Sequence, residues 1–223
     1  RDGEGYSHGL TNPTGSNILY QAGNTPMAAW ANAANAAMLA NCFMLAGLDS
    51  LKDTYRDAAI TAYTYASSLP DPMLSATQGI GNTTIRGKDL KMMAAAFLYN
   101  VTGDTAYENI VNSLSEVTSD TSMIRDSSSP QLWDQLWATA GYLKTPQTVH
   151  YPTLFSRMKN SMISEAKKIE TNNINNRPSR RATDNDALGY WKTAHNVQRS
   201  MIAHAVTDNP SDRALFENAI ILE

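Results

Sequence analysis

Two kinds of helical pattern take turns along this chain. The segment Met27 to Leu45 is apolar at nearly every position, and it follows Thr25-Pro26, an N-cap residue with proline at the first helical position. A helix that is apolar on every side is expected to be buried on every side. The pattern therefore predicts an inner helix that other helices surround.

The next segment, about Leu51 to Leu69, has the second pattern. Its apolar and small residues recur at spacings of three and four, whereas Lys52, Asp53 and Arg56 lie off that stripe. A helix with one apolar stripe and one charged face is typical of the outside of a protein. The sequence therefore predicts an outer helix beside the first inner one.

The same alternation continues to the end of the chain. Leu90 to Tyr99 is again apolar all round and predicts an inner helix. The later segments are an outer pattern capped by Asp104, an inner one from Pro130 to Leu143, an outer one from Leu154 to Thr171, an inner one from Tyr190 to Thr207 and an outer one after Asn209-Pro210. No segment alternates with period two strongly enough to predict a strand.

About eight helices in four inner–outer pairs predict an all-α fold, for which two architectures are open. One is a closed α/α toroid of the (α/α)6-barrel type, and the other is an open helical solenoid. Solenoid repeats keep a fixed length of about 34–47 residues, whereas the inner helices here start at irregular intervals of roughly 40 to 60 residues. The irregular spacing favours the toroid, with residues 1–223 forming one partial barrel domain.

The loops differ in length according to the kind of connection. Most inner-to-outer connections are short, and the outer-to-inner connections are long, namely Pro70 to Gly87, Thr118 to Ser129 and Asn172 to Gly189. Connections of one kind lie at one end of such a bundle, together with the segment from Arg1 to Asn24. Long loops in a compact domain are usually functional. We therefore expect a working rim at that end.

Composition excludes several classes of function. The chain has 223 residues, a net charge of −3, scattered Lys and Arg residues and one cysteine, Cys42. These features indicate no nucleic-acid partner and exclude an internal disulfide. No apolar run reaches the roughly 20 residues of a membrane span, so no membrane partner is expected. Because the sequence starts with Arg1 and ends within an apolar helical pattern at Ile220 to Glu223, we expect it to be a piece of a longer protein.

The rim segments are rich in aromatic rings, carboxylates and amides, which suit sugars because pyranose faces stack on aromatic rings while hydroxyls need polar partners. We expect substrate contacts from six residues, namely Tyr6, His8, Trp133, Arg180, Tyr190 and Trp191. Trp30 and Trp137 are expected in the core. Motifs for nucleotide binding, for zinc proteolysis or for a serine nucleophile are missing from the sequence.

Two carboxylates on inner helices have a structural as well as a functional interpretation. Asp89 opens the helix of Leu90, where a negative charge favourably meets the positive end of the helix dipole. Asp134 interrupts an apolar segment, and an unpaired buried carboxylate would cost several kcal/mol. Asp134 is therefore expected to have a partner, which is either a hydrogen-bond donor or a metal ion.

Four segments together resemble the catalytic domain of glycoside hydrolase family 9, the cellulase family with an (α/α)6 barrel. They are the capped helix from Thr25 to Ala40, the stretch from Arg86 to Tyr107 with its Leu-Tyr and Thr-Gly-Asp elements, Leu132-Trp133-Asp134, and Gly189-Tyr190-Trp191 with Asn196. Their order agrees with the family, and they span nearly the whole chain. The chain is therefore similar to a central fragment of that domain.

The resemblance implies inverting hydrolysis of a β-1,4-linked glucan, in an enzyme that is secreted or on the cell surface. The family's Asp-Ala-Gly-Asp base motif and its proton-donating Glu are missing, so the catalytic pair is expected to lie outside this chain and no catalytic residue is assigned. The resemblance also implies that Asp89 and Asp134 correspond to calcium ligands of some members. Lys88 would oppose that cation, so calcium is disfavoured, although the resemblance leaves it open, and no cofactor is expected to be required.

Two other functions remain open. A polysaccharide lyase or a glycuronyl hydrolase on the same toroid would use Arg180 and Arg181 to bind an acidic sugar. A helical-repeat module without catalytic activity would instead bind protein in a groove along its stacked helices. An enzyme predicts aromatic residues around a rim, whereas a scaffold does not.

Overall fold

A computed structural model describes residues 25–80, 83–126, 133–171 and 197–222. Its helices confirm the all-α class. The eight α-helices of the described residues are α1 (Pro26–Leu45), α2 (Asp49–Ser68), α3 (Gly87–Thr102), α4 (Thr105–Leu114), α5 (Leu136–Leu143), α6 (Pro152–Glu165), α7 (Gln198–Val206) and α8 (Pro210–Leu222). None of these helices is both long and apolar enough to cross a membrane.

The order of helix contacts reproduces the predicted alternation of inner and outer helices. Each even-numbered helix packs on the odd-numbered helix before it, and α1 packs on α3, α3 on α5 and α5 on α7. The odd-numbered helices thus form the inner layer and the even-numbered helices the outer layer. Closure of these four pairs into a toroid remains a prediction.

Burial confirms the prediction for α3 and corrects it for α1. Every residue of α3 from Met92 to Asn100 is buried, so this helix is enclosed on all sides. In contrast, α1 exposes Asn32 and Asn35, and Leu45 near its end is 78% exposed. The prediction of all-round burial was wrong for α1, because its asparagines mark a polar stripe that the count of apolar residues hides.

The outer helix α2 packs closely through small residues. Ala59 and Ala66 are its only buried residues, seven positions apart on the face toward the inner layer. An aromatic column seals the same interface, because Tyr63 meets the Trp30 ring at 5.1 Å and the Tyr107 ring at 5.4 Å, both edge to face. Trp30 is fully buried, as predicted, and its Nε1 donates to the carbonyl of Pro72.

The long outer-to-inner connections contain two hairpins that the sequence did not predict. Strand β1 (Thr77–Ile80) pairs with β2 (Thr83–Arg86), and β3 (Arg125–Asp126) pairs with β4 (Trp133–Asp134). The second hairpin delays α5 until Leu136, although a helix was expected from Pro130. Such short strands carry too few residues for a period-two pattern to be recognised.

The later helices also depart from their expected bounds. The segment predicted as one helix from Leu154 to Thr171 is an α-helix to Glu165 that continues as a π-helix over Ala166–Thr171. The described part of the seventh helix begins at Gln198, and Tyr190 to Asn196 lie outside the described residues. The eighth helix begins at Pro210, where Asn209 Oδ1 accepts the Ser211 amide as the predicted cap.

A buried carboxylate connects three segments at the inner-to-outer end of the bundle. Glu108, in the first turn of α4, accepts hydrogen bonds from the Tyr142 hydroxyl at 2.7 Å and from the His150 amide at 2.8 Å. Its second oxygen lies 2.6 Å from His150 Nδ1. Burial is the larger cause of a raised pKa of Tyr142, and the hydrogen bond and charge of Glu108 raise this pKa further, so the hydroxyl stays a donor. Glu108 thereby joins α4, α5 and the loop before α6.

Candidate functional site

The two hairpins lie against each other at the outer-to-inner end of the bundle, because β2 contacts β4. In register, Arg125 opposes Asp134, and Asp126 opposes Trp133. The first hairpin ends at Arg86, immediately before α3. Together, the hairpins bring residues from two long connections onto one rim, as the loop lengths predicted.

Asp89 is a densely bonded carboxylate of this rim. It is fully buried and accepts five hydrogen bonds, three of which come from Arg86, through its backbone amide, Nε and one terminal nitrogen. The other two come from the Asp134 amide at 3.3 Å and from Gln135 Nε2 at 3.0 Å. The bidentate guanidinium contact supplies charge and direction together, which compensates the desolvation of the buried carboxylate.

Asp134 has the partner that its sequence position requires, and that partner is an arginine. Arg125 Nε donates to its Oδ2 at 2.9 Å across the second hairpin. Its Oδ1 accepts the Leu136 amide at 3.1 Å, at the first residue of α5. Asp134 therefore joins the hairpin to the helix that follows it.

A third carboxylate, Glu116, receives two cations. Its Oε1 lies 2.9 Å from a terminal nitrogen of Arg86 and 2.5 Å from Lys88 Nζ. Partial burial alone would raise the pKa of Glu116, but hydrogen bonds and charges from Lys88 and Arg86 outweigh it and lower the pKa. Glu116 is consequently held as an anion at neutral pH.

A chain of hydrogen bonds extends from Arg86 along the whole described rim. Gln135 bonds Asp89 through its side chain and the carbonyl of Ile124 through its amide, at 3.0 Å each. The Ile124 amide donates to Glu165, and Glu165 accepts Arg199 Nε, both at 2.6 Å. We call this series, Arg86–Asp89–Gln135–Ile124–Glu165–Arg199, the rim belt. It connects the starts of α3, α5 and α7 with the end of α6.

Trp133 is the predicted substrate residue that lies among these charges. The Arg86 guanidinium carbon is 5.6 Å from the centre of the indole ring, within cation–π range. The indole Nε1 donates to the carbonyl of Met123 at 3.2 Å. Trp133 is partly exposed. Its orientation is fixed by two contacts, while part of its surface remains open to a ligand.

The prediction that Trp137 belongs to the core was wrong, because this residue is 41% exposed. Positions 137, 140 and 144 follow the spacing of one helix face, and Ala140 and Lys144 are also at least partly exposed. The charged Lys144 on this stripe was the signal that could have identified the open face. Trp137 therefore adds a second aromatic surface four residues from Trp133.

The carboxylates that the resemblance assigns to calcium do not fit a metal site. Both oxygens of Asp89 are occupied by nitrogen donors, and Asp134 is paired with Arg125. Calcium takes six to eight oxygen ligands, whereas the groups that approach here are guanidinium, ammonium and amide nitrogens. Within the described ranges, no three His, Cys, Asp or Glu side chains converge in a way that would hold a metal ion.

The remaining predicted site residues, Tyr6, His8, Arg180, Tyr190 and Trp191, lie outside the described residues. In contrast, sequence reasoning missed Gln135 and Glu165, which are buried in the rim belt, and the structural roles of Arg86 and Glu116. Gln135 follows Asp134 as the second residue of a polar pair that interrupts an apolar stretch of sequence, and that pair was the available signal. Nothing in the sequence alone indicated that Glu165 would reach Ile124.

The rim therefore combines ordered polar side chains with two partly open indole rings. Comparison with protein-family models and with curated proteins finds no match for this chain.

Proposed function

We propose that this chain is part of a glycoside hydrolase that acts on a β-1,4-linked glucan by an inverting mechanism. The observation that carries the proposal is the pair of partly open indole rings, Trp133 and Trp137, beside a charged rim that is already ordered. Flat apolar rings bordered by fixed polar groups match the two kinds of surface that a sugar presents. The motif resemblance to family 9 supports the same substrate class.

The alternation of helices supports a ring-shaped architecture for this enzyme. Inner helices α1, α3, α5 and α7 follow one another, each with an outer partner. In a closed toroid, the exposed faces of the inner helices line a central hollow, and the rim of that hollow is where a polysaccharide would bind. Trp137 and Met201, at 41% and 51% exposure, are the large apolar side chains on these faces of α5 and α7.

In this proposal, the described carboxylates hold the cleft and do not perform the chemistry. Inversion needs one carboxylic acid that protonates the leaving oxygen and one carboxylate that activates water, about 6.5–9.5 Å apart. Asp89, Asp134 and Glu165 each have both oxygens engaged by donors. The acid and the base would therefore be other residues, and the enzyme would be secreted or on the cell surface.

Sugar binding tests the proposal directly. Calorimetric titration with cello-oligosaccharides should detect binding to the purified chain, and Trp133→Ala and Trp137→Ala should each weaken it by roughly 3–10-fold, the value of one lost aromatic contact. Tyr65→Ala is the matched control, because Tyr65 is also 41% exposed but lies on the outer helix α2. Its affinity should equal that of the wild type.

Two outcomes would reject the proposal. Binding that is unaffected by both tryptophan substitutions would exclude the rim as the sugar site. Preference for oligosaccharides of uronic acids over neutral ones would instead indicate a lyase or a glycuronyl hydrolase. Where the protein that contains this chain hydrolyses the glucan, proton nuclear magnetic resonance of the first product should show the α-anomer.

A further inference from the structure

Arg86 lies between two carboxylates of the rim, Asp89 and Glu116, and pairs with both. Its side chain is 14% exposed, and its nitrogens reach Asp89 Oδ1 at 2.7 Å and Glu116 Oε1 at 2.9 Å. Its guanidinium carbon also lies over the ring of Trp133, 5.6 Å from the ring centre. One side chain thus connects two acidic groups and one aromatic ring from three different segments.

The ion pairs found among the described residues at this end contain equal numbers of acidic and basic groups. Three carboxylates, Asp89, Glu116 and Asp134, face three basic side chains, Arg86, Lys88 and Arg125. A divalent cation would add two positive charges to these ion pairs, whose own charges sum to zero. The free-energy cost of desolvating that ion would not be offset by these carboxylates, because each of them already has a cationic partner.

A guanidinium also differs from a metal ion in the geometry that it imposes. Its donors point along fixed directions in one plane, so it can hold two carboxylates and still present a face to an aromatic ring. We propose that Arg86 is the built-in cation of this rim, which orients Trp133 and makes the rim independent of divalent metal ions. Arg86 is a positioning residue, and this inference holds whether or not the chain binds glucan.

Thermal unfolding in calcium and in chelator tests the independence from metal. The wild-type midpoint should be the same in millimolar calcium chloride as in EDTA. A calcium site filled at a hundred times its Kd would raise the midpoint by roughly 5–10 °C in a protein of this size. An increase of that kind would overturn the proposal.

Substitution of Arg86 tests its action on Trp133. In Arg86→Ala, acrylamide should quench the fluorescence of Trp133 more strongly than in wild type, with the contribution of Trp133 obtained by comparison with Trp133→Phe. Low concentrations of guanidinium chloride, well below those that unfold proteins, should reverse part of this effect. Arg86→Lys keeps the charge but loses the planar fork, so it should fold and show an intermediate degree of quenching.

Arg56→Ala is the matched control, since Arg56 also pairs with two carboxylates, Asp53 and Asp57, but on the outer helix α2. It should change neither the quenching of Trp133 nor the response to guanidinium. Equal quenching of Trp133 in wild type, Arg86→Ala and Arg86→Lys would overturn the positioning role. If Arg86→Ala does not fold, acrylamide quenching of Trp133 is compared between Arg86→Lys and Arg56→Lys, and this comparison alone tests the positioning role of Arg86. None of these measurements uses a sugar, so their failure is distinct from failure of the proposed function.

Discussion

At the scale of single residues, the rim depends on a few positions where one atom more or less changes a buried contact. Gly87 shows this most clearly. Its amide donates to the carbonyl of Ala76 at 2.9 Å, and a Cβ at this position would clash with the carbonyl oxygen of Met73. The close approach of two backbones, rather than conformational freedom, therefore requires glycine here.

Gly87→Ala is expected to lower the free energy of unfolding by about 1–3 kcal/mol, because the turn at Met73 must move to accept the methyl group. Urea denaturation followed by circular dichroism measures this change. Gly47→Asn is the control, since Gly47 has a φ of 70° with nothing within 4 Å of its Cβ position, and asparagine tolerates that conformation. A larger loss for Gly47→Asn than for Gly87→Ala would contradict the argument.

Glu116 should contribute stability that depends on pH. Its pKa is lowered from the ordinary value of 4.5, so the stabilisation is present above that value and is lost as the pH falls through the lowered pKa. Glu116→Gln should therefore be less stable than wild type at pH 7 by up to about 1 kcal/mol, because the pair is partly exposed. The difference should vanish in acid, in denaturation curves recorded from pH 7 down to pH 3.

Glu217→Gln provides the baseline for that series, because Glu217 is exposed on α8. A difference between wild type and Glu116→Gln that stays constant from neutral to acidic pH would show that packing, rather than the ion pairs with Lys88 and Arg86, accounts for the loss.

At the scale of helices, the two ends of the bundle use buried carboxylates to set how neighbouring elements meet. Glu108 joins α4 and α5 at one end, and Asp89 joins α3 to the second hairpin at the other. Each accepts donors from several segments, so removal of one donor leaves an acceptor buried and unsatisfied. Such groups make the packing of helices specific as well as tight.

Tyr142→Phe should cost about 1–3 kcal/mol, because it removes the hydroxyl that bonds buried Glu108. Tyr151→Phe removes the same atom from a similar bond, to Asn109, the next residue of α4, but in an exposed position. The second substitution should cost less than about 1 kcal/mol. Equal losses in thermal or urea unfolding would mean that burial of Glu108 does not determine the energy of this contact.

The helices differ in how far the sequence predicts them. The unbroken apolar run of α3 sufficed, because every residue from Met92 to Tyr99 is apolar or aromatic and all of them are buried. In α1, the polar residues Asn32 and Asn35 indicated an exposed face, which the prediction of all-round burial did not take into account. The hairpins could not be predicted, because two-residue strands such as Arg125–Asp126 are stabilised by tertiary contacts.

The candidate site was predictable to a similar degree. Asp134 was identified as needing a partner, but the choice between a donor and a metal ion required the hairpin that brings Arg125 opposite it. Trp133 was correctly expected near a helix start, whereas the exposure of Trp137 depends on which face of a short helix its neighbours leave uncovered. Contacts such as Ile124 with Glu165 join residues 41 positions apart, and no local pattern encodes them.

At the scale of the whole molecule, the proposed closed ring makes a prediction about distance. Neighbouring helix axes lie about 8–10 Å apart, so the first and fourth inner helices are about 16–20 Å apart across a ring of six and about 24–30 Å apart in a row. In a ring, their exposed residues also face each other. Spin labels at Ala28→Cys on α1 and Met201→Cys on α7 report on this, because both positions are exposed.

Pulsed electron spin resonance in a Cys42→Ser background should give the shorter distance for the ring. Each single-cysteine variant alone should give no distance, which excludes pairs formed between molecules. A distribution centred on the longer separation would support the open solenoid and would remove the architectural support for the proposed enzyme.

The rim belt also has a consequence for the order in which the protein assembles. Its bonds join residues separated by 46, 41 and 34 positions, so they close only after helices from distant parts of the chain have met. Contacts that form after the rate-limiting barrier of folding change the unfolding rate and leave the folding rate unchanged. Glu165→Gln should therefore accelerate unfolding in stopped-flow experiments while refolding keeps its wild-type rate, and a slowed refolding limb would place the belt in the folding nucleus instead. The rim belt is therefore expected to be the last part of the molecule to form during folding and the first to break during unfolding.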